Sequence, residues 1–255
     1  MVAPRSVLRV APALAVLVVA IAGCGGDGGG GLGGSADVVE LAATELEPAE
    51  SGPLVWMAEE FRLDPGETLE HVHEFAFAYA RAGTHMLGIE GERRTLEPGR
   101  GAVVPARTRH RHQPAASTGA GSAGTTLWEI RLAAAGAPAT PGARRIFRSE
   151  PLEGIPKRAR ASFLLVRIPP GGETSVHTHP GPELIYQVAG RILYQNALIG
   201  TVELGPGGLE GIPPGTPVQK RNRSDADAEF LSWFLVDPAA AFAPGAEFRS
   251  EGAES

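Results

Sequence analysis

The fold of this chain is indicated most strongly by the segment GGETSVHTHPGPELIYQVAG, which spans residues 171–190. It contains two histidines and one carboxylate, His177, His179 and Glu183, at odd-numbered positions between glycines suited to turns. Because a β-strand directs every second side chain to the same face, we expect these three side chains to converge on one point. Two imidazoles and one carboxylate form a common ligand set for a divalent transition metal, so the segment predicts a metal site.

The spacing of this segment resembles the first motif of the cupin family: glycine, five residues, HxH, three residues, glutamate, six residues, glycine. A second cupin-like motif follows, with Gly207, Pro213, Gly215 and Asn222 at the family spacing. It departs from the family at Val218, which stands where a histidine normally supplies a fourth ligand. The resemblance implies a small jelly-roll barrel whose three remaining ligands leave open coordination positions, as in non-heme iron oxygenases.

An earlier copy of the same pattern is present in the chain. The HxH pair recurs 106 residues upstream as His71 and His73, and the turn glycine Gly190 has a counterpart 107 residues upstream at Gly83. Short strand-like segments separated by Gly- and Pro-rich turns fill both halves, which favours an all-β protein. A repeat of this length indicates two β domains of about 100 residues each. The chain thus resembles a bicupin, with two tandem small jelly-roll (cupin) barrels after a signal peptide and a Gly-rich linker.

The first copy departs from the family pattern in a different way. The histidine of its second motif is present as His110, which together with His71 and His73 gives a candidate three-histidine metal site. Phe77 stands four residues past His73, where the carboxylate is expected, and Arg107 replaces a turn glycine. The first motif is also one residue shorter, and a register shift of one residue would turn both histidines outward.

Two further histidines of the first copy each have two interpretations. His112 shares strand parity with His110, so it is either a substitute ligand or proton carrier, or a partly exposed strand residue. His85 is either a polar group that lines the cavity or a residue with a structural role only.

The N-terminus has the features of a bacterial lipoprotein signal. Arg5 and Arg9 precede the apolar run Val10–Ala22, which is too short for a usual transmembrane helix. Gly23 and Cys24, the only cysteine, follow the run, and the resulting sequence Ile-Ala-Gly-Cys at 21–24 resembles a lipobox. The resemblance implies lipidation of Cys24 and an extracytoplasmic protein held at a bacterial membrane through this anchor. An ordinary secretory peptide and an uncleaved anchor are the alternatives.

These features together predict the domain organisation. The predicted segments are a signal peptide (1–23), a lipidated cysteine with a flexible linker (24–49), a diverged N-terminal cupin domain (50–136), a C-terminal cupin domain (137–238) and a loose tail (239–255). The formal net charge is −6 without a basic block, which argues against a nucleic-acid partner.

Two functions fit these observations. The first is a metal-dependent enzyme, a dioxygenase-like oxidoreductase or an isomerase, that acts on a small organic substrate with Fe, Mn, Zn, Ni or Cu as cofactor. The second is a non-catalytic lipoprotein that binds a small molecule or a metal, which the incomplete ligand sets favour. A homodimer is a further expectation for closed β barrels.

Overall fold

The protein is described by a computed structural model that covers residues 32–48, 52–115 and 124–249, and within these ranges it contains strands and no helix. The strands are β1 (Asp37–Leu46), β2 (Leu54–Leu63), β3 (Leu69–His71), β4 (Ala76–Ala82), β5 (His85–Ile89), β6 (Glu92–Leu96), β7 (Gly101–Val104), β8 (His110–Pro114), β9 (Thr125–Ala134), β10 (Arg144–Arg148), β11 (Ala159–Ile168), β12 (Glu183–Ala189), β13 (Ile192–Asn196), β14 (Gly200–Leu204), β15 (Leu209–Ile212), β16 (Val218–Arg221) and β17 (Ala228–Val236).

These strands form two tandem jelly-roll barrels, which confirms the predicted fold. The first barrel combines the five-stranded sheet β10-β2-β9-β4-β7 with the four-stranded sheet β3-β8-β5-β6. The second combines the five-stranded sheet β1-β11-β17-β12-β15 with the three-stranded sheet β14-β13-β16. Pairing is antiparallel throughout these ladders, as expected for short strands joined by tight turns.

Strand register establishes which residues of the two barrels correspond. In the first barrel, β5 pairs with β8 so that Leu87 lies opposite His112. In the second barrel, β13 pairs with β16 so that Tyr194 lies opposite Lys220. Lys220 is therefore the counterpart of His112, and by the same pairing Val218 is the counterpart of His110.

The largest apolar core lies between the two barrels. The five-stranded sheets contribute aromatic side chains from their outer faces, among them Trp56, Phe77, Trp128 and Trp233. Tyr186, on the same face, packs edge-on against Trp128 with ring centroids 5.3 Å apart. Each barrel also has a separate interior cluster. Burial of large aromatics at this interface holds the two copies together, because each buried ring contributes about 1.5–3 kcal/mol.

The strand pairing corrects two of the predicted boundaries. The segment 24–49 was expected to be a linker, but Asp37–Leu46 pairs with β11 of the second barrel. Arg144–Arg148 was assigned to the C-terminal domain, yet it pairs with β2 of the first barrel. Each strand covers an edge of a large sheet that would otherwise expose unpaired backbone groups. The sequence obscures both strands because they lie outside the repeated motifs.

The expected targeting features fall in a part of the chain that the structure does not cover. The signal peptide, Cys24 and the Gly-rich segment through residue 31 lie outside the described residues. Within the described ranges, no helix is long and apolar enough to span a membrane.

Candidate metal centres

All seven histidines of the chain lie in one of two clusters, one in each barrel. The first cluster surrounds Glu129, which lies in the middle of β9 and is fully buried. Alternation along β9 explains its direction: Trp128 and Ile130 face the interface between the barrels, whereas Leu127 and Glu129 face the barrel interior. The imidazole Nε2 atoms lie close to the carboxylate, at 2.9 Å (His112), 3.0 Å (His110) and 3.2 Å (His73) from Oε1 and at 3.0 Å (His71) from Oε2.

The tautomers of two of these histidines are fixed by backbone carbonyls. His110 Nδ1 lies 2.9 Å from the carbonyl oxygen of Thr108, and His73 Nδ1 makes a similar contact with the carbonyl of Glu74. Because a carbonyl only accepts, each Nδ1 carries the proton, and in the neutral imidazole Nε2 then presents a lone pair. These lone pairs point at Glu129 Oε1, which is itself an acceptor. Acceptors facing each other at about 3 Å require a cation or an additional proton between them.

The other two histidines complete the cluster. His71 Nε2 and Glu129 Oε2 are 3.0 Å apart, but neither atom has a hydrogen bond of acceptable geometry. His112 Nδ1 lies 2.9 Å from His85 Nε2, so His85 touches the back of a candidate ligand rather than the carboxylate. Buried polar atoms without partners are uncommon in folded proteins, and here they converge on one point.

The electrostatics of the cluster favour an ionised Glu129. Burial by itself raises the pKa of Glu129, but the surrounding histidines, above all His112, outweigh it and hold the pKa well below its usual range. Burial lowers the pKa of His112, and it lowers the pKa of His85 to about 3. An ionised Glu129 and a neutral His112 are in the protonation states that metal coordination requires.

The structure corrects the predicted position of the missing carboxylate. Glu183 pairs with Phe234 on β17, and the matching pair in the first barrel is Ala76 with Arg131. The counterpart of Glu183 is therefore Ala76 rather than Phe77, because the first copy has one residue fewer between the HxH pair and the strand. Phe77 points instead into the interface between the barrels. Both histidines of the HxH pair face inward, toward Glu129, so the register shift that the shortened first motif could have caused does not occur.

Sequence reasoning missed Glu129 because it lies far from either motif. A usable signal was present, since Glu129 occupies an inward position of an otherwise apolar strand, TTLWEIRLAA. A charged side chain at such a position needs a partner. His112 and His85, whose roles the sequence left open, both belong to the cluster.

The second cluster contains the residues that the sequence highlighted. Ligand atoms of His177, His179 and Glu183 lie within 4.8 Å of one another, and all three residues are buried. The three residues were expected to lie on one continuous strand. Only Glu183 lies on β12, whereas the two histidines precede it in an extended loop. His177 is held against Val218 by two backbone hydrogen bonds of 3.1 and 2.9 Å.

The histidine tautomers of the second cluster also follow from carbonyl contacts. His177 Nδ1 lies 2.8 Å from the carbonyl of Ser175, and His179 Nδ1 lies 2.7 Å from that of Phe242. Both Nε2 atoms therefore present lone pairs to the cluster, and neither has a hydrogen-bond partner.

The second cluster also contains a lysine that sequence reasoning did not identify. Lys220 Nζ lies 3.1 Å and 3.2 Å from the two oxygens of Glu183, and both side chains are fully buried. Ser232 donates a further hydrogen bond of 2.6 Å to Glu183. By register, Ser232 is the counterpart of Glu129, since Ile185 pairs with Ser232 and Ala78 pairs with Glu129. The composition could have drawn attention to Lys220, because the chain has only two lysines.

The electrostatics of the second cluster reflect this pair. Burial acts to raise the pKa of Glu183, but Lys220 and then the two histidines outweigh it and lower the pKa to about 2. Burial, reinforced by Lys220, lowers the pKa of His177 to about 4. Burial also lowers the pKa of His179. The cluster therefore contains one carboxylate, one ammonium and two neutral imidazoles.

Comparisons with known proteins agree with this architecture. Residues 164–234 match a family model described as a Cupin domain. The structure is similar to AerE from Microcystis aeruginosa, with 14% identity, coverage of 78% of this chain and 99% of that chain, and a TM-score of 0.53. It is also similar to a mutant of Bacillus subtilis oxalate decarboxylase, with 17% identity, coverage of 82% and 74%, and a TM-score of 0.53.

A further oxalate decarboxylase structure, from work on the Mn(II) centres of the Bacillus subtilis enzyme, shares 18% identity over 82% of this chain and 74% of that chain, with a TM-score of 0.51. At these identities the likeness establishes the fold. A comparison with curated protein sequences finds no match.

Proposed function

We propose that the N-terminal barrel is a metal centre and that the protein is a metal-dependent enzyme acting on a small organic substrate. The residues that would hold the ion surround the Glu129 carboxylate. Ligand atoms of His71, His110, His112 and Glu129 lie within 4.8 Å of one another, and His73 Nε2 adds a further donor 3.2 Å from Glu129. The observation that carries the proposal is the set of Nε2 lone pairs directed at a carboxylate oxygen about 3 Å away. This arrangement is repulsive unless a cation or an additional proton lies between the facing atoms, and it is the expected geometry around a metal ion.

The donor set indicates the class of metal. Imidazole nitrogens with one carboxylate suit Fe, Mn, Zn, Ni and Cu, whereas Mg and Ca prefer oxygen ligands. Such an ion supplies Lewis acidity or a redox centre that polarises oxygen atoms of a bound substrate. The protein's own contribution is to hold the ligands and to keep water out, since His110 and His112 are almost fully buried.

Access to the centre is from the side of His71. Its side chain is 13% exposed, the most exposed of the candidate ligands. The ring of Phe61 packs against that of His71 with centroids 5.7 Å apart. Phe61 also lines a pocket of about 270 Å³ together with Leu69 and Glu67. This pocket contacts the candidate centre through Phe61, and its lining contains none of the candidate ligands.

The similarity to oxalate decarboxylase, an enzyme with Mn(II) centres, supports a jelly-roll fold that can hold a metal but does not select a reaction, because one fold hosts many reactions. Dioxygenase-like oxidation, isomerisation and reactions of small carboxylic acids are all compatible with the fold and the donor set. The test is to determine bound metal in the purified chain, then to measure oxygen uptake and product formation with flavonols, other enediols and oxalate. Turnover that is lost in Glu129→Gln supports the proposal.

The second candidate function is a non-catalytic metal- or ligand-binding protein. The observation that favours it is the number of protein donors, because four histidines and a carboxylate leave few coordination positions for a substrate. Stoichiometric metal with no turnover of any substrate tested would select this function. Absence of bound metal after reconstitution would refute both the metal-dependent enzyme and the metal-binding protein.

We also propose that the protein is an extracytoplasmic lipoprotein anchored through Cys24. The support is the sequence, in which basic residues, a short apolar run and a lone cysteine follow one another. A Cys24→Ser variant is expected to leave the membrane fraction, and a variant that stays there would exclude the lipid anchor.

A further inference from the structure

The C-terminal cluster has the ligand types of a metal site but contains a cation of its own. Lys220 Nζ is within 3.2 Å of both oxygens of Glu183. Ser232 donates a hydrogen bond to the same carboxylate and so occupies another of its lone pairs. The lone pairs with which Glu183 would bind a metal are thus directed at groups of the protein. In the first barrel, by contrast, the ion pairs found for Glu129 among the described residues are all with histidines.

The backbone holds Lys220 in this position. Its N–H donates to Thr174 Oγ1 at 3.0 Å, and its carbonyl accepts from the N–H of Thr174 at 2.9 Å. Its side chain points inward with that of Val218, two residues earlier on β16. The ammonium lies 5.8 Å from the centre of the Phe230 ring and has no solvent exposure. Lys220 therefore cannot move its charge to solvent without disturbing the strand.

We propose that the Lys220 ammonium takes the place of the metal ion in the C-terminal barrel, so that His177, His179 and Glu183 form a latent metal site that is closed in the native chain. A divalent ion would have to separate Lys220 from Glu183 and would leave a buried lysine cation without a counter-charge. Such a group is costly in a protein interior, and a second cation beside it adds repulsion. The inference does not depend on the metal centre proposed for the first barrel.

The two barrels thus bind positive charge by different means. In the first barrel, His110 and His112 occupy the positions of Val218 and Lys220. Strand β8 therefore supplies two imidazole ligands, whereas β16 supplies an apolar side chain and an ammonium. Removal of the ammonium restores an open set of two imidazoles and a carboxylate, which is sufficient for many metal sites.

The test is equilibrium dialysis of the full chain against Co²⁺, with the bound ion counted by mass spectrometry. Lys220→Ala and Lys220→His are each expected to bind one more Co²⁺ per chain than the parent, and adding His177→Ala is expected to remove that additional ion. Lys157→Ala is the matched control, since Lys157 is the other lysine of the chain and is exposed. It is expected to leave the count unchanged.

Two results would overturn the proposal. One is a Glu129→Gln chain, with Lys220 intact, that still binds a Co²⁺ ion which His177→Ala removes. This measurement needs no substitution at Lys220, so it stands even if the Lys220 variants fold poorly. The other is folded Lys220→Ala and Lys220→His protein that gains no ion. If the parent binds no Co²⁺ at all, the N-terminal centre is refuted, whereas a gain in the Lys220 variants would still support the latent site.

Discussion

His112 and Lys220 occupy the same position in the two barrels, and each contacts the buried carboxylate of its own barrel. His112 Nε2 lies 2.9 Å from Glu129, and Lys220 Nζ lies 3.1 Å from Glu183. The carboxylates themselves come from different strands, β9 in the first barrel and β12 in the second. The two copies therefore keep a buried carboxylate beside two or more histidines but neutralise it differently.

The Glu183–Lys220 pair predicts a large loss of stability when one partner is removed. We expect Glu183→Gln to lower the free energy of unfolding of metal-free protein by about 3–5 kcal/mol, because it leaves a buried lysine without a counter-charge. The double variant Glu183→Gln/Lys220→Met should recover most of that loss. Urea unfolding measures both, and a double variant as unstable as the single one would contradict the role of the pair.

The His85–His112 contact predicts a positioning role for His85. When His112 Nε2 binds a metal, the proton of the ring is on Nδ1, and this N–H donates a hydrogen bond to His85 Nε2. Isoleucine is the residue at the corresponding position of the second barrel, Ile192, so His85→Ile is a natural replacement. We expect it to weaken metal affinity by about 10–100-fold. Competition with a chromophoric chelator measures the change, and an unaltered affinity would exclude a positioning role.

The buried histidines predict that metal-free protein loses stability in acid. His85 and His177 have folded-state pKa values of about 3 and about 4, below their usual 6.5, so the unfolded chain takes up protons first. Stability should therefore decline as the pH falls from about 6.5 toward 3, and Glu183, with a pKa of about 2, extends the decline below 4.5. Each pKa unit corresponds to about 1.4 kcal/mol.

Urea unfolding at a series of pH values checks this decline. The slope between pH 6 and pH 4 should be smaller in His85→Ile, which lacks one of the titrating groups. A stability that is constant over this interval would contradict the neutral state assigned to the buried histidines.

The turn before β8 predicts a stabilising substitution. Arg107 has a φ of 58°, in the left-handed region, whereas its counterpart in the second barrel is Gly215 with a φ of 72°. We expect Arg107→Gly to raise the free energy of unfolding by about 1 kcal/mol by relieving this conformation. The ion pair of Arg107 with Glu74 is solvent-exposed, so little is lost with it. Gly215→Ala is the matched opposite change and should destabilise the protein, and equal melting temperatures for both variants would contradict the prediction.

Motif spacing was sufficient to predict the fold, three of the six side chains of the first cluster and three of the four of the second. The HxH pairs lie in short extended segments next to a turn, where residue spacing determines the direction of the side chains. The repeat of these motifs showed that the chain contains two barrels. The two residues that distinguish the sites, Glu129 and Lys220, could not be placed in this way. Their contacts depend on pairing between distant strands, which sequence spacing does not encode.

The carboxylate of the first cluster is hidden in the sequence for a related reason. By sequence, the C-terminal copy has the fuller motif, and Phe77 marks the N-terminal copy as lacking a carboxylate. A one-residue deletion places Ala76 at that position, and the small side chain leaves room for Glu129 to enter from β9. The carboxylate was thus replaced rather than lost.

The central claim is that one metal ion binds per chain and that Glu129 holds it. The most direct measurement is the metal content of the reconstituted parent, Glu129→Gln and Glu183→Gln chains under the same conditions. We predict one ion per chain in the parent and in Glu183→Gln, and less than about a tenth of an ion in Glu129→Gln, because of the two glutamates only Glu129 is a ligand of the proposed centre. Metal that is retained in Glu129→Gln and lost in Glu183→Gln would contradict the account.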